Sequence, residues 1–520
     1  MKLSRRLLAG AVLFFWLGTV GWQVRREYFR PDLARLAEAA AMSLAPGVHF
    51  YSLTMGDRAV GIATSRLDTV PAGYVLEDVL SLELPALGQT GTAVARTRVK
   101  LSSALAMEDF SFSLDSEVGQ FSATGKVTGD SLLTVVVDAG GTEDELSFRL
   151  AEAPVFAATL PIRLAMSGKL EVGERMRLPV FDPSTLSTRT VDVRVLEHDT
   201  ILVPDSVQLD RESQQWTPAT LDTVPAWRVS ESYGGIRIES WIDEDGRILR
   251  ASSPLGFSME RTQYEIARQA LDESRGLGSA VDEDVILATA IQSDVDLGAV
   301  EAHDSLTFVL GGLDLTGFDL DGGRQRLRGD TLRVRREDWS SIDPGYSLPY
   351  KRMDLKEALQ PEPLIQSDDP RIVRRARRIA GRMRDPAAVA RVLSASVHDM
   401  LEKEITFSVP SAVQVLEARK GDCNEHTVLY VALARALGLP ARTAVGLVHV
   451  NGAFFYHAWP EVWLGEWVAV DPTFGQHPAD AAHLRFVVGG LAQQVDIVRL
   501  IGRLSIDAYD PGAPNAPVQE

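Results

Sequence analysis

Two hydrophobic periods divide the chain. From about Val48 to Thr262, apolar and polar residues alternate, as in "FSFSLDSEVGQFSATGKVTGDSLLTVVVDAGG", "TRTVDVRVLEH" and "GIRIESWIDEDGRILRASS". Alternation with period two places apolar side chains on one face of a strand. Glycine-containing turns separate the runs, and Asp245-Gly246 is a hairpin signal. The pattern predicts an antiparallel β-rich region over 48–270, built as one or two sandwich or half-barrel units, followed by a mixed connector with β hairpins over 271–345.

Beyond Pro361 the period becomes helical. Asp369 before Pro370 and Asp385 before Pro386 each pair a capping carboxylate with a proline at the first helical position. A short helix follows in "SAVQVLEA", and a longer one runs from about Cys423 to Leu437. Gly421-Asp422 supplies its turn and cap, and Gly438 and Pro440 stop it. "RTAVGLVHV", "FFYHAWPEVWL" and "EWVAVDPT" then read as strands, which makes 346–505 an α+β domain. The expected fold class is therefore α+β, with a large antiparallel β region ahead of the C-terminal domain. Composition marks 506–520 as a disordered tail.

The N-terminus adds a different signal. Lys2, Arg5 and Arg6 precede an apolar run from Leu7 to Trp22, closed by Arg25 and Arg26. No good small-x-small cleavage site follows directly, so residues 1–25 are expected to be an uncleaved membrane anchor helix, with 26–47 as a short helical connector. The bulk of the chain would then lie outside a bacterial cytoplasm as a single-pass envelope protein.

Composition narrows the function classes. With 45% hydrophobic and 24% charged residues the chain resembles ordinary folded protein. A net charge of -18 with one basic cluster, Arg371 to Arg384, argues against nucleic acid as a partner. Asp314, Asp319 and Asp321 lack the spacing and closing Glu of a calcium loop and read as acidic turns. No metal and no cofactor is expected: the chain has one thiol, and the histidines near it fit no structural zinc spacing.

That single thiol carries the chemistry. Cys423 sits in the first turn of a helix, where unpaired backbone N–H groups and the helix dipole favour a thiolate. A thiol nucleophile needs a base, and the base needs an orienting acceptor. If Leu464-Gly465-Glu466 is a three-residue hairpin loop, Trp463 lies opposite Trp467, and Asp471 falls diagonal to His457 on one face of the sheet. A slip of one residue would put them on opposite faces. His426, one turn from Cys423, and Trp459 are candidate site-lining residues. Asn424 and Glu425 either line the cleft or are exposed first-turn residues. His449, His477 and His483 lie nearby in sequence.

Gly421-Asp422-Cys423, the helix ending "ALARALGLPAR", "YHAWPEVW" and "WVAVDPT", in that order, closely resemble the transglutaminase-like core of the papain-like cysteine enzymes, over about residues 365–490. "DPTFGQHPADAAH" extends the likeness toward bacterial members. The resemblance implies a triad of Cys423 as nucleophile, His457 as general base and acid, and Asp471 as orienter. It implies an enzyme acting on amide bonds of a polypeptide or peptide-like substrate through a thioester, hydrolytic rather than crosslinking. A protein-glutamine transamidase and a non-catalytic envelope binding module are the alternatives. Animal members carry an oxyanion-holding tryptophan upstream of the cysteine; no Trp lies between Trp339 and Cys423, which leaves the Cys423 N–H as the one donor to name. The β-rich region is expected to recruit substrate, the cell wall or another envelope partner.

Overall fold

The computed structural model describes residue 40 and residues 44–509, apart from 87–88, 130–131, 151–154, 169, 234–235, 255, 277–289, 294–296, 298–299, 407 and 501–502. The apolar run from Leu7 to Trp22 and residues 510–520 lie outside the described residues, whereas the first residues of the expected disordered tail 506–520 instead belong to a strand, Ser505–Tyr509, because they pair with Ser305–Gly311. Among the described residues, no helix is long and apolar enough to cross a membrane.

The alternating region forms strands β1 (Gly47–Met55), β2 (Arg58–Val70), β3 (Gly73–Ala86), β4 (Gln89–Ser102), β5 (Met107–Ser116), β6 (Gln120–Thr128), β7 (Leu132–Ala139), β8 (Glu143–Arg149), β9 (Val155–Phe156), β10 (Arg175–Asp182), β11 (Ser187–Leu209), β12 (Trp216–Tyr233), β13 (Ile236–Ile242), β14 (Ile248–Ser252) and β15 (Phe257–Thr262). They make one continuous 15-stranded sheet in the order β8 to β1, then β15 to β9, rather than two separate units. The join is the antiparallel pairing of β1 with β15, Phe50 opposite Thr262. Period two shows which face of a strand is apolar, and says nothing of which strand will pair with a partner two hundred residues away.

The sheet curls until its ends meet. Phe110 of β5 packs against Phe156 at 5.2 Å and Phe181 at 5.3 Å, on β9 and β10 near the opposite end of the strand order. Phe148 on terminal strand β8 also reaches Phe181, at 6.1 Å. Helix α1 (Leu160–Met166) contributes Leu160, Ile162, Leu164 and Met166 to the apolar interior. Helix α2 (Tyr264–Gly276) leads out of the sheet.

The C-terminal domain is layered. Helices α3 (Pro370–Ala380), α4 (Pro386–Met400) and α5 (Ala412–Ala418) surround α6 (Cys423–Ala436). Their caps are local: Asp369 accepts from the Arg371 N–H, Asp385 from the Ala388 N–H, and Ser411 forms a capping box with Gln414. Helix α6 is buried from Glu425 to Arg435, the signature of a central helix. One side of it packs on a sheet of β16 (Ile291–Gln292), β22 (Ala441–Val450), β23 (Ala453–Trp463), β24 (Trp467–Ala469) and β25 (His483–Val488). A second sheet, β17 (Ser305–Gly311), β18 (Gln325–Arg328), β19 (Thr331–Arg335) and β26 (Ser505–Tyr509), covers the far face, with Phe308 edge-on to Phe454 at 5.8 Å. Short parallel strands β20 (Glu402–Lys403) and β21 (Lys420–Gly421) tie the chain just before α6 to the end of α4.

The curled sheet abuts the helical layer. The Gln414 amide donates to the Gln120 carbonyl at 2.6 Å and the Gln366 amide to the Ala139 carbonyl at 3.1 Å, while Val118 joins the helical core. At Gly140, with φ of 69°, a Cβ would lie 2.9 Å from Gln414 Cγ, so glycine permits this approach.

Leu433 is fully buried among these helices. Leu433→Ala is expected to lower stability by about 2–5 kcal/mol, read as a lower urea midpoint at unchanged slope.

Candidate active site

The site begins with a gap in a sheet edge. Strand β23 pairs with β16 at Ala453 and Phe454 and with β24 from Glu461 to Trp463. Between those stretches its edge is open, and the first turns of α6 dock there. Thr427 Oγ1 donates to the Ala458 carbonyl at 3.0 Å, and the Ala458 N–H lies toward the Cys423 sulfur, where it favours the thiolate. On this side Ala458 thus meets a helix instead of a neighbouring strand. The consequence is to set Cys423 beside the residue that follows His457.

Trp463 pairs with Trp467, the register expected of a three-residue loop. The chain leaves the sheet after Ala469, so Asp471 is not a strand residue; it is held instead by mutual backbone hydrogen bonds with Gln476 at 2.8 Å. There its Oδ2 accepts from His457 Nε2 at 2.7 Å. Its Oδ1 takes the N–H groups of Thr473 at 2.7 Å and Phe474 at 3.1 Å. The carboxylate is fully buried, and burial alone would raise its pKa. The His457 and His483 rings more than offset that and hold it well below the usual carboxylate range.

The electrostatics at the sulfur differ from the sequence expectation. A first-turn cysteine should favour its thiolate, yet burial, followed by the Asp422 carboxylate, pushes the Cys423 thiol well above its ordinary value. Helix-terminal charge is a fractional and local effect, and here lost solvent and nearby carboxylates exceed it. Asp422 caps α6 by accepting from the Asn424 N–H at 2.9 Å, and its own pKa is raised by burial and by Glu425.

The other expected site residues separate in space. Asn424 is exposed. Glu425 is buried and neither lines the cleft nor faces solvent: it completes the capping box and accepts from Thr406 at 2.7 Å and Ser408 at 2.6 Å. His426 is buried, donates from Nδ1 to the Asp422 carbonyl at 2.6 Å, and has its pKa lowered by burial. Trp459 is buried and stacks on His457 with centroids 6.1 Å apart. His449 packs on Phe454 and His477 on Trp339, both apart from His457.

Two residues enter that the sequence did not single out, Phe474 and Asp480, together with His483, which the sequence marked only as a nearby histidine. Phe474 also stacks on His457, at 5.0 Å, while remaining 43% exposed, so the imidazole contacts both a core ring and a surface ring. His483 and Asp480 complete the surroundings of Asp471. His483 Nε2 lies 3.0 Å from Asp471 Oδ2, and its Nδ1 lies 2.9 Å from Asp480 Oδ1. Their one sequence signal was the polar stretch "DPTFGQHPADAAH", too far from strand register to place. His457, Asp471 and His483 also form the one His/Cys/Asp/Glu group among the described residues close enough to share a metal ion. Within it, Asp471 Oδ2 lies at hydrogen-bond distance from both rings, 2.7 Å from His457 Nε2 and 3.0 Å from His483 Nε2.

Next to Asn424 and Val428 a cavity of about 240 Å³ opens between the two halves of the chain, walled by Val409 and Pro410 on one side and by Leu146 and Leu186 of the curled sheet on the other.

Asp422→Asn keeps a good helix cap and removes the carboxylate next to the sulfur. The pH midpoint for iodoacetamide alkylation of Cys423 is expected to fall; an unmoved midpoint would show that this carboxylate does not act on the thiol.

No curated protein matches the chain in sequence. Among solved structures, a candidate cysteine protease from Cytophaga hutchinsonii is 18% identical, covering 40% of this chain and 83% of its own, with a TM-score of 0.27. The periplasmic domain of TgpA from Pseudomonas aeruginosa, bound to ethylmercury, is 21% identical over 36% of this chain and 76% of its own, with a TM-score of 0.23. A β-barrel-like protein of the DUF1849 domain from Brucella abortus is 15% identical over 42% of this chain and 95% of its own, at 0.31. TM-scores of this size fix neither a fold nor an activity. The family model of the transglutaminase-like superfamily core matches residues 373–472, the stretch that runs from α3 through Cys423 and His457 to Asp471, and this part of the chain is a transglutaminase-like core.

Proposed function

We propose that the protein is a cysteine enzyme that cleaves amide bonds of polypeptides through a thioester, with Cys423 as nucleophile, His457 as base and acid, and Asp471 as orienter. The observation that supports this most directly is the fastening of the Cys423 sulfur at Ala458, beside a histidine whose Nε2 is held by a buried carboxylate at 2.7 Å. With Nε2 so occupied, Nδ1 is the nitrogen left to face the sulfur.

The free thiol is protonated, so His457 takes the proton as sulfur attacks the carbonyl carbon. The new C–S bond leaves a tetrahedral oxyanion, which the Cys423 N–H at the N-terminus of α6 can stabilise. Collapse breaks the C–N bond, and His457 returns the proton to the departing amine. Water then attacks the thioester, His457 accepts one of its protons, and the acid leaves as the thiol is restored. Exposure of Asn424, next to the nucleophile, supports ready access of water and hence hydrolysis over transfer to a second amine. The run from Leu7 to Trp22 supports an envelope location for this activity, with the catalytic part outside the cytoplasm.

The soluble part, wild type and Cys423→Ala, should be incubated with a peptide mixture, with and without a primary amine, and products read by mass. Hydrolysis predicts fragments carrying added water in wild type alone, unaffected by amine. Amine adducts would instead identify a transamidase, and equal peptide capture by both forms without any product would identify a binding module.

A further inference from the structure

We propose that His483 is a positioning residue for this site, an imidazolium at neutral pH locked between Asp480 and Asp471 that fixes the orienting carboxylate. This rests on the reading of Cys423, His457 and Asp471 given above. The argument is geometric. A neutral imidazole has one N–H donor and one lone pair, whereas the two nitrogens of His483 each face a carboxylate oxygen, at 2.9 Å and 3.0 Å. Either neutral tautomer would aim a lone pair at an anion inside the protein. The ring is fully buried, so water cannot relieve that repulsion. Both nitrogens therefore donate, and the ring carries a charge. The direction of its pKa agrees: burial lowers it, but Asp480 first, and then Asp471, raise it to about 9.

Among the described residues, the titratable groups in contact with the ring are Asp480, Asp471 and His457, whose ring centroid is 5.8 Å away. Trp459 at 5.2 Å and Phe474 at 6.4 Å close it in edge-on. Asp480 is itself held by the Gln476 amide at 2.8 Å and the Ala482 N–H at 2.9 Å, with its pKa at about 2. Arg324, just before β18, donates to the carbonyls of Ala479 and Asp480 at 2.8 and 2.7 Å, which clamps this loop from a separate element. On the flanking strands Arg485 and Glu461 pair with each other at 2.9 Å.

His483 balances Asp480 and leaves the Asp471 charge for His457. Asp471 Oδ2 receives two N–H donors, from His457 and His483, so neither the loss of a proton at His457 nor its gain leaves the carboxylate without a partner. That preserves the aim of the His457 ring through the catalytic cycle.

Removing the cation leaves the buried carboxylates of Asp480 and Asp471 less compensated, and the thiol, already raised by the Asp471 charge, is raised further. His483→Gln is expected to move the pH profile of Cys423 alkylation to higher pH. It should also lower kcat by roughly tenfold to a hundredfold, with KM nearly unchanged, part of what a positioned base supplies. Asp480→Asn keeps an acceptor at Nδ1 but removes the charge that holds the ring protonated, and it serves equally if the glutamine variant does not fold. In that variant His483 should lose its proton nearer neutral pH, and the alkylation profile should gain a step at the same pH. Nitrogen-15 NMR of histidine-labelled wild type should show both His483 nitrogens protonated until pH approaches about 9. A neutral tautomer at neutral pH, or an Asp480→Asn alkylation profile matching wild type, overturns the proposal. A profile insensitive to His457→Ala instead overturns the nucleophile and base assignment, a result the NMR measurement does not share.

Discussion

The docking of α6 onto the open edge of β23 is the constraint from which the site follows. Ala458 has no strand partner on that side; its carbonyl is taken by Thr427, and its N–H lies toward the Cys423 sulfur. Had β16 or β24 continued along β23, those groups would be paired and the helix N-terminus would have no place to rest. Because α6 is buried along nearly its whole length, the position of its first turn is fixed by the packing of Leu429, Leu433 and their neighbours. Core packing thereby sets the distance between a sulfur and a sheet edge.

A second dependence runs through buried charge. Asp471, Asp480, His483, Glu461 and Arg485 all lie where water does not reach, which is tolerable only when each is paired and hydrogen-bonded. Asp471 accepts four hydrogen bonds and Asp480 three, so neither carboxylate is left uncompensated. Satisfied networks of this kind specify one arrangement, because rotating any member strands a charge. The thiol stands apart from this: burial and the nearby carboxylates raise its pKa well above the ordinary thiol value.

The curled β half belongs to the same structural argument. Its turns at Gly119 and Gly140 press on Gln414, at the start of the helix that precedes α6, and Gln366 bonds to Ala139. Leu146 and Leu186 line a cavity that Asn424, the residue after Cys423, also lines. The curled sheet region thus borders the space next to the first turn of α6.

Much of the catalytic domain could be read from sequence because its signals are short-range. Asp369, Asp385 and Ser411 cap helices through bonds to N–H groups two or three residues ahead, and Leu464-Gly465-Glu466 set the Trp463–Trp467 pair. Period two likewise identified a β-rich half, but the β1–β15 join and the aromatic closure depend on residues that meet only in the finished sheet. The place of Cys423 in the first turn of a helix was a property of the sequence, whereas the state of its thiol was decided by burial and by carboxylates gathered around it. Phe474, Asp480 and His483 surround His457 and Asp471 because a loop folds back over the sheet, which no local period encodes. Caps and turns act over a few bonds and are written in neighbouring residues; charge and burial sum over every residue that packs nearby, and only the tertiary structure carries out that sum.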